Sequence, residues 1–249
     1  MTLRRPADHQ RTERLPTTDH SPDGGDPLVN PMPRVDVRVV LFTVNAGRLL
    51  VALQKQPTCR ALPRGSPTPV ESLDAAGTRI LTDQVGIAAR YLEQLCSITH
   101  GSEGHWTVTV AYLALALAGD SGPPPNTAAW SDAGNLREMD LVDRKIVDNA
   151  LLRLRAKLGC TTIACHLLPL SFSLSELQTV HEAVLDHEVD KRNFRRRIYA
   201  AGVLEGTGLT RREGSHRPAR LYRFRAGHDA GTYLTPGWVL GTEQGATNP

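Results

Sequence analysis

Apolar residues along this chain change their spacing several times, and each change marks an element. From Val35 to Val44 the run VDVRVVLFTV sets β-branched residues around Asp36 and Arg38, and RLLVAL from Arg48 to Leu53 follows the turn signal Asn45-Ala46-Gly47. This pattern predicts a β-hairpin. Pro57 to Pro69 carries four prolines and a glycine and reads as a loop. Between Glu71 and Val85 the period becomes helical, through Leu73, Ala76, Ile80 and Leu81, and it stops at Gly86; Gly77 weakens the helix from inside. Strand character returns over Tyr91 to Thr99 and His105 to Ala118, Gly119 to Asn126 is a loop, and Trp130 precedes an acidic segment. Leu141, Ile146, Ala150, Leu151, Leu154 and Leu158 then form the apolar stripe of a helix over Asp140 to Leu158.

Gly159 and Cys160 read as a linker to a second module. Ser173 and Glu176 have the spacing of a capping box, opening a helix that runs to Leu185. Asp190 caps the next helix, Lys191 to Ala201, which ends at Gly202. Strand candidates Val203 to Leu209 and Arg220 to Arg225 follow, separated by a loop of Arg, Gly, Ser, His and Pro. Helix, helix and hairpin in that order predict a winged helix.

Bulk composition agrees with two modest domains: 249 residues, 40% hydrophobic and 22% charged. The expected division is a disordered tail over 1–33, a first domain over 34–158, a winged helix over 159–226 and a C-terminal tail over 227–249. The longest apolar run, Val108 to Ala118, is short of the roughly 18 residues a membrane helix needs. The N-terminus is basic but has no apolar segment behind it, so a cytoplasmic protein without membrane contact is expected. Cys59, Cys96, Cys160 and Cys165 form no C-x-x-C pair and suit no zinc site, so reduced structural thiols and no metal are expected.

The net charge of +3 hides a strong asymmetry. From Asp190 to Arg225 there are eleven Lys and Arg against Asp190, Glu205 and Glu213, a surplus of eight, which leaves the rest of the chain at −5. Clustered cations gain free energy by releasing counterions from a polyanion and otherwise repel one another. No acid stands between Lys191 and Leu204 to pair with them, so a solvated helix laced with salt bridges is disfavoured. Phe194, Ile198 and Ala201 share one helical face and point inward. Lys191, Arg192, Asn193, Arg195, Arg196 and Arg197 are then candidates for the groove of double-stranded DNA, where Arg suits guanine and Asn suits adenine. His216, Arg217 and Arg220 on the wing suit sugar-phosphate contacts. RNA fits less well, because no aromatic stacking platform accompanies the arginines.

The segment GSPTPVESLDAAGTRILTDQVGI, Gly65 to Ile87, resembles the Nudix box G-x5-E-x7-R-E-U-x-E-E-x-G-U, with Gly65, Glu71, Arg79, Leu81, Gly86 and Ile87 in place. Leu62-Pro63, the strand VAYLAL from Val110 to Leu115, and Trp130 extend the likeness. Nudix hydrolases cleave nucleoside diphosphates linked to another moiety, with carboxylates holding magnesium beside the pyrophosphate. Here the three acids of R-E-U-x-E-E are Ile80, Asp83 and Gln84, and a usual glycine is Arg64. Hydrolysis is expected to be lost or very weak, with no catalytic residue assigned, and magnesium relevant only to residual activity. Arg38, Arg64, Glu71, Arg79 and Asp83 are candidate ligand contacts; for Glu71 and Arg79 a structural ion pair is an equal reading.

A Nudix box followed by LSELQTVHEAVL, DKRNFRRRIYAAGVLE and RPARLYRF is similar to the Nudix-related transcriptional regulators, the NrtR family. That resemblance spans about Val35 to Arg225. It implies an α+β fold, a Nudix α/β/α sandwich followed by a C-terminal winged-helix domain. It also implies a homodimer that represses genes of NAD metabolism or sugar use and releases its operator when a nucleotide effector such as ADP-ribose binds. The alternatives are an active pyrophosphohydrolase whose basic tail steers substrate, and a Nudix domain that serves only as a dimerisation platform.

Overall fold

The computed structural model describes residues 32–56, 59–102, 105–119, 128–212 and 218–226. The two expected tails, apart from residues 32 and 33, and the wing tip with His216 and Arg217 lie outside the described residues.

Strands β1 (Arg34–Asn45) and β2 (Arg48–Lys55) form the predicted hairpin. Ala46 and Gly47 between them both take positive φ, 48° and 74°, the combination that matches a two-residue turn to the twist of its strands. Around β1 gathers a seven-stranded mixed sheet with β3 (Arg60–Ala61), β4 (Arg64–Gly65), β5 (Tyr91–Ser102), β6 (His105–Leu115) and β7 (Ala128–Asp132). β1 runs parallel to β6 and antiparallel to β2 and β4, while β7 adds to β2. One expectation changes here: the proline-rich loop contains β3 and β4. The segment around Trp130, to which the spacing assigns no element, is a strand. All three are too short to show a period of their own, and each takes its conformation from the long strand it pairs with.

Alternation along β1 builds two cores. Val37, Val39 and Leu41 pack with Ala76, Ile80, Leu81 and Val85 of α1 (Leu73–Val85), whereas Val40 and Phe42 belong with Ile146, Val147, Ala150 and Leu154 of α2 (Leu141–Leu158). The sheet therefore lies between two helices, the expected α/β/α sandwich. Gly77 sits where a Cβ would meet Leu92, Tyr112 and Val39 side chains at 3.6 to 3.8 Å, so its cost in helix propensity accompanies a close helix-to-sheet contact. Ser72 caps α1 by accepting from the Ala75 amide, which starts the helix two residues later than expected and leaves Glu71 in the loop.

The α2-side core does not stop at the end of the sandwich. It continues through Ile163, Ala164, Leu167 and Leu168 into Phe172, Leu177, Val184, Phe194 and Ile198. Gly159 and Cys160, read as a linker, are a buried and a half-buried residue that lead straight into a packed stretch: Thr161, Thr162 and a 3-10 turn at Ile163–Leu167 are largely buried. Beyond it β8 (Phe172–Ser173), α3 (Leu174–Leu185), α4 (Lys191–Ala201), β9 (Leu204–Arg211) and β10 (Ala219–Phe224) form the winged helix, with a three-stranded sheet in the order β8-β10-β9. Two side chains reinforce the joint, Arg155 Nε donating to the Val184 carbonyl and Arg90 Nη1 to that of Leu168, each at 2.9 Å. No helix among the described residues is long and apolar enough to cross a membrane.

Candidate nucleic-acid interface and ligand site

Capping fixes the two helices that present the basic surface. Ser173 and Glu176 close a reciprocal capping box at α3, and Asp190 accepts from the Asn193 amide at 2.7 Å to start α4. The inner face of α4 is Phe194 and Ile198, both buried. Phe194 meets the ring of His181 on α3 edge-on, centroids 5.0 Å apart. His181 Nδ1 lies 2.8 Å from the Leu177 carbonyl oxygen, which only accepts, so this nitrogen carries the proton. Burial lowers its pKa to about 4, keeping the ring neutral near neutral pH.

On the outer face Lys191, Arg192, Asn193 and Arg196 are exposed, and Arg195 and Arg197 are half-buried. The first turn of α4 contains no acid. Cations at a helix N-terminus oppose the positive end of the macrodipole. Lys191 and Arg192 are therefore locally unfavourable, and an approaching polyanion removes that penalty.

The wing contributes less charge than its arginine count suggests. Arg211 is paired with Glu176 of α3, and Arg223 with Glu205 at 2.5 Å, so the exposed arginines left outside these pairs on the described wing are Arg212, Arg220 on β10 and Arg225. What the linear reading missed is a tyrosine pair. Tyr199 of α4 and Tyr222 of β10 place their hydroxyl oxygens 2.8 Å apart. Each aromatic residue sits among arginines in the sequence, but only the fold brings the two together.

At the Nudix-like box, Glu71 and Arg79 form a bidentate ion pair, 2.8 and 2.9 Å. Arg79 also donates to the Ser66 carbonyl, and Glu71 accepts from the Thr68 amide. The Arg79 guanidinium, helped by the Thr68 amide, holds the Glu71 carboxyl down at about 2. Asp83 lies 3.9 Å from the same guanidinium. Gln84 occupies both halves of its amide with the backbone of Arg64: Nε2 donates to the carbonyl at 2.7 Å and Oε1 accepts from the amide at 3.1 Å. Ile80 is fully buried, and its Cγ1 would stand 3.4 Å from a Cβ on Gly65.

These residues do not fit a divalent cation. Magnesium takes hard oxygen ligands, and of the box positions one is apolar and buried, one is an amide bonded to the loop, and Glu71 is held by Arg79. Of the three positions where the box has acids only Asp83 keeps a carboxylate, and it is exposed, while Asp74 earlier on α1 accepts from the Tyr112 hydroxyl. Among the described residues no three His, Cys, Asp or Glu side chains converge as a metal site.

Arg38 is placed apart from the other candidate contacts. Although Arg38 pairs in register with Arg64, its side chain is buried, bonded to Asp36 at 2.8 Å and to the fully buried Asp143. Asp143 also accepts from the Leu62 amide at 2.9 Å, just ahead of the box. The structure thus groups Glu71, Arg79 and Asp83 on the α1 side, sets Arg64 against Gln84, and gives Arg38 a buried ion pair. Cavities of about 350 and 460 Å³ at the joint with the winged helix are lined by other residues.

Comparison with known proteins covers most of this architecture. A family model described as the NrtR DNA-binding winged helix domain matches residues 164–224. A protein of Acinetobacter baylyi named ADPR responsive transcriptional repressor NtrR is 32% identical over 208 residues, covering 78% of this chain and 83% of that one. The crystal structure of Shewanella oneidensis NrtR complexed with a 27mer DNA superposes with a TM-score of 0.68 at 28% identity, over 81% of this chain and 98% of that one. A MutT/nudix family protein from Enterococcus faecalis shares the fold, with a TM-score of 0.62 at 20% identity over 78% of this chain and 87% of its own.

Proposed function

Because the chain belongs to the NrtR family, we propose that it is a DNA-binding transcriptional repressor in which residues 34–158 sense a nucleotide metabolite and residues 159–226 carry the output. The observation that carries this reading is α4, whose exposed Lys191, Arg192, Asn193 and Arg196 have no acid in the first turn to pair with. A recognition helix entering the major groove by its N-terminal half uses these residues on base edges and leaves Arg220 for the backbone. A homodimer presents two such helices to a two-fold site.

The Nudix-like domain is a sensor in this account, not a hydrolase. Supporting that are the buried Ile80 and the Gln84 amide bonded to Arg64, which stand where the box needs carboxylates. ADP-ribose is the effector we assign, following the naming of the Acinetobacter relative as ADPR responsive. Glu71, Arg79, Asp83 and Arg64 border the ligand in this scheme, and Arg38 holds the strand beneath them. Effector control requires that ADP-ribose bind the DNA-free geometry more tightly than the DNA-bound one. The packed joint at Ile163–Leu167 is the physical path for that difference, since one apolar core runs through it.

The test is an anisotropy titration of the protein's own upstream region. Wild type binds it, and Arg196→Ala weakens binding by about 1–3 kcal/mol while the fold is retained. Equal affinity of the two proteins refutes the assignment of α4.

A further inference from the structure

Resting on the DNA-binding reading above, the tyrosine pair at the junction of wing and helix has a use that bracing alone leaves unexplained. Tyr199 and Tyr222 meet edge-on, ring centroids 6.2 Å apart and planes at 66°, with hydroxyl oxygens 2.8 Å apart. One hydroxyl donates to the other, so the pair retains one O–H whose proton has no acceptor among the described residues. Either hydroxyl can be the donor, and Tyr199, 55% exposed, leaves the pair open to solvent on the same helix that carries Arg196.

The electrostatic surroundings select the class of acceptor. Among the described residues the charged side chains acting on Tyr199 are Arg195 and Arg220, both cations. Glu205, next to the Gly206 that pairs with Tyr222, is bonded to Arg223. Arg195 also has a buried Nε without a hydrogen-bond partner among the described residues, an unusual state for a guanidinium nitrogen. A phenol O–H in the field of two guanidiniums suits an oxyanion, which accepts from the hydroxyl and is neutralised by the cations.

We propose that Tyr199, Tyr222, Arg195 and Arg220 form a seat for one phosphate of the DNA backbone, locking the wing to α4 at the point where both meet the duplex. A base edge is the poorer partner, because the pair stands between wing and helix and not on the N-terminal turn of α4. The seat orients the protein on DNA without reading sequence.

The experiment measures binding of the full-length protein to a random-sequence duplex across a range of potassium chloride concentrations. It compares wild type, Tyr199→Phe, Tyr222→Phe, the double variant and Arg196→Ala, each checked by a thermal melt. The double variant is expected to bind about tenfold more weakly at fixed salt, as for loss of a hydrogen bond to a charged group, with the single variants between. Its slope of log affinity on log salt stays at the wild-type value, because a neutral hydroxyl releases no counterion, whereas Arg196→Ala lowers both affinity and slope. Phe variants that remain folded and bind as wild type does overturn the seat, as does a fall in their salt slope. If Arg196→Ala is impaired while the Phe variants are not, the seat alone is lost; if wild type fails to bind duplex at all, the DNA-binding reading fails first.

Discussion

Restoring the box consensus by Gln84→Glu should damage this protein without creating an enzyme. The Gln84 amide uses donor and acceptor together, Nε2 to the Arg64 carbonyl at 2.7 Å and Oε1 from the Arg64 amide at 3.1 Å. A carboxylate keeps the acceptor but sets a second oxygen against the carbonyl oxygen. The side chain must then swing out, and both bonds go. A neutral hydrogen bond contributes about 0.5–1.5 kcal/mol net, and this site is partly exposed, so the pair amounts to about 1–2 kcal/mol. For a chain of this size that lowers Tm by roughly 4 °C. Gln84→Ala, which removes both bonds without adding charge, should match it to within about 1 kcal/mol. Differential scanning fluorimetry gives the shift, and AMP release from ADP-ribose with magnesium gives the chemistry. No hydrolysis should appear, because Ile80 still puts an apolar side chain in the core where the box has an acid. A Gln84→Glu protein with unchanged Tm, or one that hydrolyses ADP-ribose with magnesium, refutes the reasoning.

Two further outcomes follow from buried groups. His181 is neutral in the folded winged helix with a pKa of about 4, against an ordinary 6.5, so the unfolded chain takes up a proton first as pH falls. Its contribution is fully present above pH 6.5 and is lost towards pH 4, reaching about 2 kcal/mol by pH 5. Urea melts at pH 7 and 5 should show that loss in wild type and a smaller one in His181→Leu; equal pH dependence contradicts the burial argument. Asp143→Ala leaves the Leu62 amide without its acceptor and Arg38 with Asp36 alone, so urea melts should show a loss of about 3–5 kcal/mol. A near-neutral effect denies the pair its role in holding the box.

What the chain shows in its own order is whatever is decided within a few residues. Ser173, Glu176 and Asp190 act on amides three positions away, so both winged-helix helices are legible from spacing, as is the hairpin turn at Ala46 and Gly47. The box motif is legible for the same reason, and so is the option of a Glu71–Arg79 ion pair. Hidden features depend on partners far along the chain. β7 and β8 are short and exist through β2 and β10. Glu176 lies outside the basic segment, so its pairing with Arg211 escapes a charge count made from Asp190 onward. Tyr199 and Tyr222 are 23 residues apart and meet only once the wing folds back. Nothing local in Gln84 tells that its amide is bonded to the loop it follows.

The most direct test of a sensor joined to a DNA-binding output is an effector titration against preformed complex. Labelled duplex from the upstream region, saturated with full-length protein, is titrated with ADP-ribose while anisotropy and AMP formation are followed together. The account predicts that anisotropy falls to the free-duplex value as ADP-ribose accumulates, with no AMP produced. Anisotropy that stays high at saturating ADP-ribose, or that falls only as AMP appears, contradicts it.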